Sequence, residues 1–263
     1  MLSPEILSID CEKVSSKIVR FIKKKIDASG LKGAVISASG GLDSSTLLVL
    51  TVKALGRDKV KVVTMPERDV TPETDIADVI QLSHLMGVTC DLIDITPMIK
   101  LLSSINPNTS LDNVSLGNIK ARIRMIIAYS YANIYNMMVI GSSNKTEWLT
   151  GYFTKYGDGA ADMLPLADLY KTQVRFLASY LRLPTNILDK TPSARLWLGQ
   201  TTEEELGLPF EKIDLILTGW KYKMSIKEIS SDLNLPESKV FSILERVKRN
   251  EHKRRLPLIL RLS

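Results

Sequence analysis

The apolar run Ala34-Val35-Ile36 leads into Ser39-Gly40-Gly41-Leu42-Asp43-Ser44, and a helical pattern follows at once over residues 45–55. This succession constrains the fold more than any other feature. A short buried strand, a glycine pair and a helix start make one β–loop–α unit, with the helix N-terminus facing the strand end. The alternation then repeats. Strands are expected over 60–65, 91–95 and 138–141, and helices over 72–86 and 119–135. A further amphipathic helix over 12–29 carries Val14, Ile18, Val19, Ile22 and Ile26 at helical spacing. The expected class is α/β, with a doubly wound, mostly parallel sheet. Residues 103–118 and 150–170, rich in Gly, Asn, Ser and Asp, read as loops, and 171–183 reads as a helix. From about 210 onward the pattern is helical without strands. One domain over 1–263 is expected, with an α/β core to about 208 and a helical segment after it.

The glycine loop suits a polyanion. Gly40 and Gly41 let main-chain N–H groups approach an anion closely, and successive N–H groups form a concave nest. The hydroxyls of Ser39, Ser44 and Ser45 can donate to phosphate oxygens. Asp43 is out of place beside phosphates unless it shares a Mg²⁺ with them. The loop lacks the Gly-Lys-Ser/Thr ending of a Walker motif and is not Gly-x-Gly-x-x-Gly. It has the pattern of ATP pyrophosphatases, which cleave between the α and β phosphates.

Bulk properties exclude several classes. Two cysteines, Cys11 and Cys90, are too few for a disulfide scaffold or a cysteine-built metal site. Both fit reduced thiols, and a cytoplasmic location is expected. The start has no apolar signal region, and no stretch approaches the roughly 20 apolar residues of a membrane span. A formal charge of +6 suits an anionic partner, nucleotide or nucleic acid.

Further motifs narrow the reading. Residues 141–207 run GSSNKTEWLTGYFTKYGDGAADMLPLADLYKTQVRFLASYLRLPTNILDKTPSARLWLGQTTEEELG. Residues 118–125 read Asn-Ile-Lys-Ala-Arg-Ile-Arg-Met, and 251–257 read Glu-His-Lys-Arg-Arg-Leu-Pro. With the glycine loop, these four motifs in this order resemble the ammonia-dependent NAD synthetases over nearly the whole chain. The resemblance implies a Rossmann-like fold of the ATP-pyrophosphatase type and a cytoplasmic homodimer. The activity it implies is ATP-dependent amidation of deamido-NAD by ammonia, with AMP and pyrophosphate released. It further implies that Ser37, Ala38, Ser39, Gly40, Gly41, Leu42, Asp43 and Ser44 cradle ATP. Met65, Ser142, Lys171 and Ser193 are implied to complete that site, and Asp43 and Glu147 to hold Mg²⁺. Arg122, Lys155, Asp162, His252 and Lys253 are implied for deamido-NAD. The implied catalytic set is Asp43, Glu147, Asp162 and Lys171.

Each assignment has a plainer counterpart. Glu147 could be a first-turn residue favoured by the helix dipole, and Lys171 a helix-start residue. Lys155 sits in a Gly-, Thr- and Tyr-rich loop expected to act as a lid. Asp158 reads as a turn aspartate, and Asp162 as the residue better placed to meet substrate or to accept a proton from ammonium. Arg122 and Arg124, two apart, point to different faces of one helix. The apolar positions over 123–138 suit core packing and a dimer interface equally. His252 and Lys253 belong to a solvated basic tail or to an arm folding back over the site. Five positions depart from the family pattern: Ser37 stands for Gly, Thr202 for Asp, Ser142 and Ser193 for Thr, and Ser143 for a common small residue. Residues 225–250 also resemble a helix-turn-helix, so DNA binding competes with plain tri-helical packing. Because the same tri-helical shape serves as ordinary packing, packing is the expected reading and nucleic acid is not an expected partner.

Overall fold

The computed structural model describes residues 2–104, 111–260 and 262. Helix α1 (Cys11–Ser29) precedes the first strand, β1 (Ala34–Ser37). Then follow α2 (Leu42–Leu55), β2 (Val60–Thr64), α3 (Glu73–Met86), β3 (Cys90–Leu92), α4 (Thr96–Ser104), α5 (Asn113–Tyr135) and β4 (Met138–Ile140). Among the described residues the sheet is parallel and four-stranded, in the order β3-β2-β1-β4. Ala34 pairs with Val60 on one side and Met138 on the other. Central β1 is covered on both faces: Ala34, Val35 and Ile36 are fully buried. Ile36 and Ile140 join Leu47, Leu50 and Ile22 beneath α1 and α2. Val35 and Val139 face the opposite way, toward Ile95, Ile123 and Ile127 of the α4–α5 side. Strand periodicity of two thus splits one short segment between two cores.

Several boundaries differ from the sequence expectation. Helix α2 opens at Leu42 rather than 45, because Gly41 takes the N-cap position and leaves Asp43 and Ser44 in the first turn. Helix α5 begins at Asn113, six residues early, because the Asp112 side chain accepts from Ser115 N at 2.6 Å and caps it. Part of the loop expected over 103–118 is therefore helix, and residues 105–110 lie outside the described residues. Strand β3 is shorter than expected at its C-terminal end.

After β4 come α6 (Lys145–Thr150), α7 (Lys171–Tyr180), α8 (Thr185–Leu188) and α9 (Thr202–Leu206). The helical segment is α10 (Phe210–Lys221), α11 (Ile226–Leu233) and α12 (Glu237–Arg249). These three helices pack around Ile213, Ile229, Val240 and Ile243, and the cluster takes in Leu2 and Leu7 from the N-terminus. The helix-turn-helix pattern is thus satisfied by ordinary packing. Two basic residues of α12 are also engaged locally: Arg246 lies over the Tyr152 ring, 5.9 Å from its centroid, and Lys239 donates to Gly207 O.

Asp214 of α10, fully buried, bridges two helix starts. It accepts from the Thr146 hydroxyl of α6 and from Thr172 N of α7 at 2.9 Å. Burial is the main influence on its carboxyl and raises its pKa to about 6. A carboxyl raised on folding favours the protonated native state, so stability falls as pH rises from about 4 to about 6. Asp214→Asn is expected to remove up to about 1.4 kcal/mol per pH unit of that slope in urea denaturation. A slope identical to that of the parent chain would refute the assignment.

Candidate active site

Because β4 lies beside β1, the loops leaving their C-terminal ends share one crevice. Strand order reverses here, since the chain runs from β1 to β2 and β3 and then returns to β4 on the other side. Open parallel sheets bind ligands at such a point.

The first loop is braced from within. Ala38 N donates to Val63 O at 3.0 Å. The Ser39 and Ser44 hydroxyls lie 3.2 Å apart, and Ser44 also donates to Gly41 O. Gly40 adopts φ +73°, and a Cβ there would sit 2.4 Å from the Asp75 carbonyl oxygen, so only glycine fits. No side chain caps α2 at Gly41. Its first-turn N–H groups stay open to an anion.

The second loop delivers the acids and amides. Asn144 caps α6 in a capping box with Glu147, and its Nδ2 donates to Asp43 Oδ1 at 3.1 Å. Lys171, the first residue of α7, ion-pairs with Asp43. Burial, and next the Asp43 charge, push the Glu147 carboxyl up to about 8, against the pull of Lys171. Burial alone would lower the Lys171 pKa, but Asp43 and Glu147 outweigh it and the net direction is upward.

These groups open onto a cavity of about 910 Å³. Of the nucleotide residues expected from sequence, Ser37, Ala38, Ser39, Gly41, Leu42, Asp43, Ser44, Met65, Ser142, Lys171 and Ser193 line it. Gly40 turns its back to it. Glu147 and Lys253 also line the cavity. Arg122, Lys155, Asp162 and His252 do not. Arg122 is exposed and donates to Lys155 O, while Lys155 Nζ donates to His252 O at 2.7 Å. Asp162 accepts from Val139 N at 2.7 Å and from the Tyr129 hydroxyl, so β4 and α5 hold it outside the lining.

Other residues enter the cavity that sequence reasoning passed over. Arg124, not Arg122, is the α5 arginine turned inward, with Nε donating to Met65 O at 3.1 Å. Asp158 holds its turn as expected, accepting from Thr154 N at 2.8 Å, yet it also opens onto the cavity. Packing around it raises its carboxyl above the usual range. Thr202, Gln200 and Trp197 add to the wall. The Asp-Gly turn at 158 was the available signal for Asp158. The face of α5 gave none for Arg124.

The basic C-terminal run folds back. Asn250 Nδ2 donates to Thr150 O at 2.8 Å, and Arg254 to Leu149 O at 2.6 Å. Lys253 Nζ donates to the carbonyls of Gly151 and Phe153 at 2.7 and 2.9 Å.

No cluster of three or more His, Cys, Asp or Glu side chains suits a metal ion among the described residues. A Mg²⁺ that also binds substrate phosphates needs only one or two carboxylates. Asp43 and Glu147 meet that need. Their mutual repulsion in a buried site is what a divalent cation would relieve.

Comparison with known proteins agrees with this geometry. A family profile described as NAD synthase matches residues 14–257. An NH(3)-dependent NAD(+) synthetase of Hyperthermus butylicus is 46% identical over 254 residues, covering 96% of this chain and 92% of that protein. A structure described as NMN synthetase from Francisella tularensis has a TM-score of 0.86 at 35% identity, covering 96% of this chain and 99% of the other. An NH3-dependent NAD synthetase from Campylobacter jejuni has a TM-score of 0.81 at 31% identity, covering 97% and 100%. The profile match over residues 14–257 and the 46% identity over nearly the whole length make this chain, with its serine–glycine loop, acid pair and lysine in one crevice, a member of the NAD synthase family.

Proposed function

We propose that the chain amidates deamido-NAD with ammonia at the expense of ATP, giving NAD, AMP and pyrophosphate, the final step of NAD biosynthesis. The observation that carries this reading is Lys171 and the Asp43–Glu147 pair at the mouth of the serine–glycine loop, inside one large cavity. A carboxylate is a poor acyl donor because its leaving group would be oxide. The nicotinate carboxylate attacks the α-phosphorus, pyrophosphate leaves, and ammonia then displaces AMP from the adenylate.

The chain's own groups have definable tasks. Open N–H groups of the loop and of α2 receive phosphate oxygens. Lys171, held charged by two acids, stabilises negative charge building on the phosphates. Asp43 and Glu147 would hold Mg²⁺, which when bound neutralises phosphate charge. Asp158, which lines the cavity and has a raised pKa, is a better-placed acceptor of a proton from ammonium than Asp162, which does not line it.

A homodimer fits the surface. On α5, Ile126 is 59% exposed and Ile134 74%. Arg122 lies on the same helix, and Asp162 is tied to it through Tyr129. A second copy covering this face would complete a dinucleotide site that one chain leaves open. Among the described residues no helix is long and apolar enough to cross a membrane. The free thiols Cys11 and Cys90 accord with a reducing, cytoplasmic setting.

A second reading is a mononucleotide substrate, deamido-NMN, favoured by the likeness to the protein described as NMN synthetase. Incubation with ATP, Mg²⁺, ammonium and each acid separates the two. Faster amide formation from deamido-NAD, with equimolar AMP and pyrophosphate, is expected. Preference for deamido-NMN would favour the second reading, and ADP with orthophosphate would exclude both. Lys171→Met is expected to lower kcat by about 100-fold or more, the scale of removing one preorganised charge-stabilising donor. Ile126→Glu is expected to shift the sedimentation coefficient from dimer to monomer and raise KM for the dinucleotide. An unchanged coefficient would exclude α5 as the interface.

A further inference from the structure

The phosphate loop has a front and a back. Ser39, Gly41 and Ser44 form the front, on the cavity. Gly40 is the back. Its carbonyl accepts from Lys190 Nζ at 2.8 Å, and its α-carbon rests on the Asp75 carbonyl. Lys190 also ion-pairs with Asp75 Oδ1 at 2.8 Å and with Asp78. Asp75 Oδ2 in turn accepts from Arg195 Nε at 2.9 Å, and Asp78 Oδ1 from Asn186 Nδ2 at 2.5 Å. Both acids are buried, at 2% and 8% exposure.

We propose that Lys190 is the positioning residue of the phosphate loop: it sets affinity for the triphosphate from behind, by fixing Gly40. This rests on the reading of the cavity as an ATP site. An anion nest needs successive N–H groups to converge, and the carbonyl between them must face away. Left unheld, that carbonyl could swing toward the polyanion and repel it. A lysine bonded to it, and itself anchored by two acids on α3, keeps it turned back. The cluster holds two carboxylates and two cations, so Lys190 offers little uncompensated charge to a phosphate. Its cation acts on the loop rather than on the ligand.

The rival is direct contact with phosphate, since Lys190 also borders the cavity. Asp78 does not line it and separates the two by sign. Removing its negative charge frees Lys190 to attract phosphate if contact is direct, but loosens Lys190 and Gly40 if it acts as a clamp. The experiment is calorimetric titration of the full-length protein with ATP alone, for the parent chain, Lys190→Met, Lys190→Arg and Asp78→Asn. Lys190→Met is expected to weaken ATP about tenfold, the scale of one hydrogen bond to a charged group. Asp78→Asn is expected to weaken it in the same direction, by about threefold, and Lys190→Arg to retain most of the affinity. In the amidation assay only KM for ATP should rise, with kcat and the acid's KM within about twofold. Tighter or unchanged ATP binding by Asp78→Asn overturns the proposal, as does a Lys190→Met protein that only melts earlier. If Lys190→Met does not fold, the sign of the Asp78→Asn effect decides alone. A parent chain that does not bind ATP defeats the functional reading itself.

Discussion

Pairing of β4 with β1 is the constraint on which the site depends. Had the fourth strand extended the sheet beyond β3, its loop would open three strand spacings from that of β1. In register beside β1, it brings Asn144 within 3.1 Å of Asp43 and places Glu147 where the two carboxylates repel. Two acids forced together in a poorly hydrated pocket are unfavourable alone. Lys171, arriving at the start of a third element, offsets part of that cost. The polar centre is therefore assembled from groups that none of the three segments could stabilise separately.

The helical C-terminal segment has a comparable part in this assembly. Asp214 reaches from α10 to the starts of α6 and α7, the helices that carry Glu147 and Lys171. Lys171 N also donates to the Thr146 hydroxyl, so one buried carboxylate indirectly sets the spacing of α6 and α7. Beyond α12, Arg254 satisfies the Leu149 carbonyl at the end of α6, and Lys253 those of Gly151 and Phe153 in the loop that follows, which forms one side of the cavity.

Much of this was legible beforehand. The runs Ala34-Val35-Ile36 after Gly33 and Met138-Val139-Ile140 before Gly141 announce a buried parallel sheet, and the Gly-Gly loop marks its working end. The unread parts depend on tertiary choices. Arg122 and Arg124 sit on a helix that is apolar on several faces, so spacing alone does not say which arginine turns inward. Asp158 and Asp162 share one tight turn, and only the position of β4's backbone decides that Asp162 is consumed by Val139 N. Asp78 and Lys190 lie 112 residues apart, and no local pattern links them. Helix α4 follows β3 with little punctuation and left no clear periodic mark.

The close seating of Gly40 on the Asp75 carbonyl reaches beyond the loop itself. Asp75 opens the first turn of α3, and the stretch joining that helix to β2 runs along the rim of the crevice. Rim segments of this kind usually tolerate insertions and deletions freely. Here any change in length would displace the carbonyl against which the Gly-Gly loop is moulded. The connection is thus held to a fixed length from within, and natural variation in this protein should gather elsewhere on its surface.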